Sequence, residues 1–115
     1  MKPKIRTEQQ EAEAFADYLR LKGFLFTHLA QETSIKNWGL LMKQKRAGKN
    51  KGFPDYAIIA NKQLLFVELK RTGNKSVVSP EQKNWIQELN TILGCVAIVA
   101  KGADEAKKFI ESQLN

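Results

Sequence analysis

A single cysteine among 115 residues excludes an internal disulfide, and a single histidine leaves no zinc-ligand spacing. Neither a GxGxxG run nor a P-loop occurs, which removes two common phosphate-cradling loops. No apolar stretch approaches the roughly 18 residues of a membrane helix, and no signal peptide is evident, so a soluble, intracellular chain is expected. Internal repeats, linkers and low-complexity tracts are missing too. Cys95 lies inside an apolar run, far in sequence from His28, and reads as a small core residue and not as a nucleophile.

Acidic residues are in short supply. Nineteen Lys and Arg face twelve Asp and Glu, a formal charge of +7. The excess is confined to residues 1–75, whereas residues 76–115 are close to neutral. Five positive charges fall in one short segment: Lys43, Lys45, Arg46, Lys49 and Lys51. Such a run is either a solvated loop or the place where a polyanion backbone is gripped. A hydrophobic content of 43% is ordinary for a globular domain, and this length supports one core, so residues 1–115 are expected to form a single domain.

The basic run leads directly into the most informative pattern. Pro54-Asp55 is followed by twelve residues and then Glu68-Leu69-Lys70. The stretch between reads as two short buried strands, Tyr56–Ala60 and Leu64–Val67, around a polar break at Asn61-Lys62-Gln63. A turn centred on Asn61-Lys62 sets Ile59 opposite Leu64 and Asp55 opposite Glu68. Opposed Cβ atoms lie roughly 4.5–5.5 Å apart, where like charges destabilise a sheet. Two carboxylates so placed call for a cation, and Mg²⁺ suits one or two carboxylates plus waters. Alternation along the strand brings Lys70 to the same face as Glu68 and Asp55. Two acids, a divalent ion and an ammonium form an array suited to phosphodiester hydrolysis, because the ion acidifies a bound water and neutralises phosphate. An ordinary strand end with a surface ion pair would carry the same letters.

The remaining elements follow from periodicity and caps. Thr7-Glu8-Gln9-Gln10 starts a helix expected over Glu8–Lys22, ending at Gly23, with Ala12, Phe15 and Leu19 as its buried stripe and Tyr18 at the margin. Glu8 and Glu11 fall on that stripe, where they either meet a cation or simply favour the helix dipole. A strand over Phe24–Leu29, a polar loop and a short helix through Trp38, Leu40, Leu41 and Met42 come next. Ser79-Pro80-Glu81-Gln82 opens another helix with Trp85, Ile86, Leu89 and Leu93 as its stripe. Gln82 lies on the buried side, as a cap or reaching toward Lys70. A strand over Cys95–Ala100 and a helix over Ala103–Leu114 complete the order α-β-α-β-β-α-β-α. A hairpin plus a crossover helix implies an α/β domain whose central mixed sheet is flanked by helices.

Gly52-Phe53-Pro54-Asp55, Phe66-Val67-Glu68-Leu69-Lys70, Ser79-Pro80-Glu81-Gln82, the Gly94-to-Val99 strand and an early-helix glutamate occur here in one order. In this the chain resembles the PD-(D/E)xK nuclease superfamily and, within it, the VRR-NUC (virus-type replication-repair nuclease) group, stand-alone phage-type members above all. The resemblance implies a restriction-endonuclease-like core. It implies Asp55, Glu68 and an acid of the first helix (Glu11, with Glu8 as the alternative) as ligands of Mg²⁺ or Mn²⁺. Lys70 would be the catalytic lysine and Gln82 a supporting residue.

The expected activity is a structure-specific endodeoxyribonuclease on branched DNA, a Holliday-junction resolvase acting as a homodimer. The basic residues from Lys43 to Lys51, with Arg71 and Lys75, would grip flanking phosphates. The expected location is the cytoplasm of a bacterial or phage-infected host cell. The alternatives are a DNA-binding module without catalysis, or dependent on a partner, and a flap or single-strand nuclease.

Overall fold

A computed structural model describes residues 5–29, 37–72 and 77–115. Eight elements follow in chain order: α1 (Glu8–Lys22), β1 (Leu25–His28), α2 (Trp38–Arg46), β2 (Tyr56–Ala60), β3 (Gln63–Lys70), α3 (Pro80–Leu89), β4 (Cys95–Lys101) and α4 (Ala103–Gln113). The order is the one anticipated. The four strands form one sheet in the order β1-β2-β3-β4. β1/β2 and β2/β3 pair antiparallel, whereas β3/β4 pair parallel, with α3 as the crossover that parallel neighbours need.

The β2–β3 hairpin turns on two residues, Asn61 and Lys62, both with positive φ (51° and 61°). Left-handed backbone at both turn positions matches the twist of the flanking strands. The register is therefore even: Ile59 opposes Leu64 and Tyr56 opposes Val67. One step further, Asp55 falls opposite Glu68.

Alternation then divides the side chains between two cores. Leu65 and Val67, with Tyr56 and Ile58, pack under Phe15 and Leu19 of α1 and Ala106 and Ile110 of α4. Phe66 and Ala97 lie on the other face beneath Trp85, Ile86 and Leu89 of α3, joined by Phe53 and Cys95. Burying each large apolar side chain contributes roughly 1.5–3 kcal/mol. The first core anchors α1 and α4, and the second packs the latter half of α3 on Phe66 of β3 and Ala97 of β4. Cys95 is thus a core-packing residue, as expected.

Some expectations change. The first strand is shorter than Phe24–Leu29, and β3 runs on through Lys70. Leu93 is fully exposed, not part of a buried stripe, because α3 stops at Leu89. There Asn90 donates to the Ala97 carbonyl (2.9 Å) and accepts from the Ala97 N–H (2.8 Å), which turns the chain into β4. α2 forms behind an Asn37 cap yet buries no residue fully; Trp38, Leu40 and Met42 are all exposed. The polar loop before α2 falls mostly outside the described residues, as does Lys75. No helix among the described residues is long and apolar enough to cross a membrane.

Candidate active site

Asp55, Glu68, Lys70 and Gln82 meet at one end of the sheet, in a cleft of about 400 Å³ that α1 also borders. Each is fixed by local structure. The Gly52-Phe53-Pro54 segment is clamped before it reaches Asp55: Phe53 makes edge contacts with Phe66 (5.4 Å) and Trp85 (5.0 Å), and Pro54 is buried. Gly52 has φ 98°, and a Cβ there would sit 2.7 Å from the Glu81 backbone in the first turn of α3. Only glycine lets the chain pass so close to that helix. The Asp55 carboxylate accepts the Leu69 N–H at 3.0 Å, and its carbonyl accepts the Leu29 N–H. Those two bonds tie the residue to both neighbouring strands.

Glu68 is 5% exposed. Its Oε1 accepts from Gln82 Nε2 at 2.8 Å and lies 3.7 Å from Lys70 Nζ. Lys70 in turn donates to Gln82 Oε1 at 3.1 Å. Gln82 therefore does both things weighed from sequence. It closes the capping box with Ser79 (3.0 and 3.1 Å) and bridges the acid and the lysine. The other oxygen of Glu68, Oε2, is buried with no hydrogen-bond partner. Leaving such an acceptor unmet costs about 1–3 kcal/mol, more for a charge.

Burial raises the Glu68 pKa to about 7; the neighbouring Asp55 charge adds to this, and Lys70 partly offsets it. Burial also raises the Asp55 pKa, opposed by the Leu69 N–H, His28 and Lys70 and reinforced by Glu8. Two neighbouring carboxylates both raised by burial mark a site short of one positive charge. It also sets a pH dependence. Between the ordinary value of 4.5 and about 7, folded Glu68 holds a proton that the unfolded chain has released. Stability must then fall as pH rises through that window. Without metal, the thermal midpoint should be higher near pH 5 than near pH 8. Glu68→Gln should flatten that slope, as thermal unfolding in EDTA would reveal.

Both first-helix acids line the cleft, but their surroundings differ. Glu11 is 1% exposed and accepts from Arg6 (3.2 Å), the Thr72 N–H (3.3 Å), the Thr72 hydroxyl and the Ala103 N–H (3.3 Å). Burial alone would raise its pKa, but the bonds from Thr72, Ala103 and Arg6 outweigh it and hold the carboxyl below its usual range. α4 has no side-chain cap of its own, and Glu11 fills that role from α1. Glu8 is exposed, borders the cleft, and its charge is felt at Asp55.

No three His, Cys, Asp or Glu side chains among the described residues form a ready-made metal cage. Asp55 with the unmet Glu68 oxygen fits an ion of another kind: one that takes one or two carboxylates and fills its shell with water and phosphate oxygens, as Mg²⁺ does. Of the expected phosphate-gripping residues, Lys43, Lys45, Arg46 and Lys49 are exposed along the end of α2 and beyond it. Lys51 pairs with Glu81 at 3.4 Å, and Arg71 borders the cleft with its Nε bonded to the Arg6 carbonyl. Sequence reasoning missed Thr72 and Ala103, which hold Glu11, and Gly102, which leaves room for it; it did not place His28 at the site.

A four-stranded mixed sheet bearing Asp, Glu and Lys at one end defines a nuclease-type α/β domain. The model of the VRR-NUC domain matches residues 5–104. The chain therefore belongs to the VRR-NUC family and is a nuclease domain of the PD-(D/E)xK superfamily, with DNA as the substrate class. A solved structure named VRR_NUC domain protein is 28% identical, covering 96% of this chain and 89% of that one, with a TM-score of 0.74. A second, named VRR_NUC domain, is 21% identical over 90% of this chain and 94% of that one; its TM-score of 0.62 supports the fold. No curated protein matches the chain.

Proposed function

We propose that the chain is a metal-dependent endodeoxyribonuclease that cuts branched DNA, working as a homodimer on four-way junctions. The buried, unbonded Glu68 oxygen beside Asp55 and Lys70 carries this reading, since a purely binding surface has no use for it. Mg²⁺ or Mn²⁺ held by Asp55 and Glu68, with Glu8 reaching in from α1, would supply Lewis-acid neutralisation of the phosphate and a more acidic water. Lys70, oriented by Gln82, holds its ammonium where negative charge builds on the phosphate. Gln82 also fixes Glu68 Oε1, which leaves Oε2 without a hydrogen-bond partner. The described residues carry one such site, so paired incision of a junction takes two copies.

Cleavage of a labelled four-way junction beside duplex, flap and single strand, with Mg²⁺, Mn²⁺ or EDTA, tests the proposal. Symmetric, metal-dependent nicks confined to the junction are expected. Cutting of flaps or single strands would keep the nuclease and discard the resolvase; binding without cleavage under every metal would leave a DNA-binding module. Binding should also weaken steeply with salt. Neutralising about five phosphates gives a log–log slope near −4.5, and a flat salt titration would count against the basic segment as the grip.

A further inference from the structure

The hydrolytic centre just described makes no use of His28, the only histidine of the chain, although it borders the same cleft as Asp55, Glu68 and Lys70. We infer that His28 is a substrate-contacting residue whose imidazole meets a phosphate oxygen of the DNA strand seated in the cleft. The inference rests on the nuclease reading and adds a contact outside the Asp-Glu-Lys group.

Its placement is specific. His28 ends β1 and pairs with Tyr56, the residue after Asp55. The two rings stack almost parallel, with centroids 4.4 Å apart and planes 5° apart. Tyr56 is itself packed into the core: it is 1% exposed and makes an edge contact with Phe15 at 5.1 Å. The imidazole thus lies on a buried aromatic base with its plane set before any substrate arrives, which lowers the ordering cost of a contact. Its own outer face is exposed, so the stack recovers little burial. No described residue hydrogen-bonds either ring nitrogen, yet the ring is close enough for its charge to be felt at Asp55.

A ring nitrogen N–H donates to phosphate in either protonation state. His28 shares its sheet face with Tyr56, which packs under α1, whereas α3 packs on the opposite face. A histidine that merely capped Tyr56 would be indifferent to DNA.

Having one histidine makes the test direct. In ¹⁵N-labelled Asp55→Asn protein, the ring nitrogen signals should shift on adding an uncleaved four-way junction, over the concentration range in which binding saturates. Mg²⁺ alone should leave them in place. Signals that ignore DNA would overturn the inference, and signals that move with Mg²⁺ alone would make His28 a metal ligand instead. In the wild-type background, His28→Ala should lower junction kcat/KM about ten- to a hundredfold, mostly through KM, and His28→Gln, which keeps a donor, should recover part of it. Both variants should unfold at the wild-type temperature. Should wild-type protein cut while His28→Ala cuts equally well, the contact fails and the nuclease stands. Should nothing be cut by wild-type protein, the nuclease reading fails, and the ring signals still decide whether His28 touches DNA.

Discussion

Replacing Asp55 with asparagine should lower junction cleavage at least about a thousandfold while leaving DNA binding intact or tighter. The substitution is nearly silent for the fold. Asp55 Oδ2 accepts the Leu69 N–H, and an asparagine oxygen accepts the same bond. What disappears is the negative charge. With it goes one of the two causes that raise the Glu68 pKa, so that value should move back toward the ordinary range. The loss therefore falls on the metal-holding pair and spares the surface that grips phosphate. Single-turnover cleavage at saturating enzyme, alongside fluorescence anisotropy in EDTA, separates the two effects. Removing a charge near the phosphate should strengthen binding at low salt most, where screening is weakest. Cleavage surviving at near wild-type rates would mean that the catalytic centre lies elsewhere on the chain.

The hairpin that carries this site was legible because everything deciding it is local. Asn61 and Lys62 set an even turn, the turn sets the register, and the register brings Asp55 opposite Glu68. Caps were legible for the same reason. Thr7 with Gln10 and Ser79 with Gln82 satisfy their own first turns within four residues. The parts that stayed hidden depend on long-range pairing. Nothing near His28 says that β1 will pair with β2 in the register that stacks its ring on Tyr56. Helical spacing put Glu8 and Glu11 on one stripe and could go no further, because besides nearby Arg6 the donors to Glu11 are Thr72 and Ala103, 61 and 92 residues away. Leu93 failed for a related reason. Periodicity extends a stripe until something stops it, and here the stop is the Asn90 side chain bonding the backbone of Ala97.

The two glutamates of α1 should separate cleanly on substitution. Glu11→Ala should lower stability by about 2–4 kcal/mol, the cost of stranding the Thr72 and Ala103 donors and removing the cap of α4. For a chain of this size that is roughly a 10 °C drop in thermal midpoint. Gly102→Ala should act through the same joint. An added Cβ would lie 2.1 Å from the Thr72 hydroxyl and 2.5 Å from Glu11 Oε2, at a residue with φ 87°. Glu8→Ala, at an exposed position with neither bond, should change stability by no more than about 0.5 kcal/mol. Its effect should appear in weaker Mn²⁺ binding and slower cleavage. The pH behaviour gives a further separation. Because the Glu11 pKa is lowered in the fold, its contribution is present above the ordinary carboxylate value of 4.5 and is lost as pH falls through the folded one. Glu11→Ala should therefore cost least in strong acid and most near neutrality, opposite in sign to the Glu68 effect. Thermal unfolding in EDTA from pH 3 to 8, with Mn²⁺ titration followed by electron paramagnetic resonance, measures both. A Glu11→Ala protein as stable as wild type but unable to hold Mn²⁺ would return Glu11 to the metal and leave Glu8 as an ordinary first-turn acid.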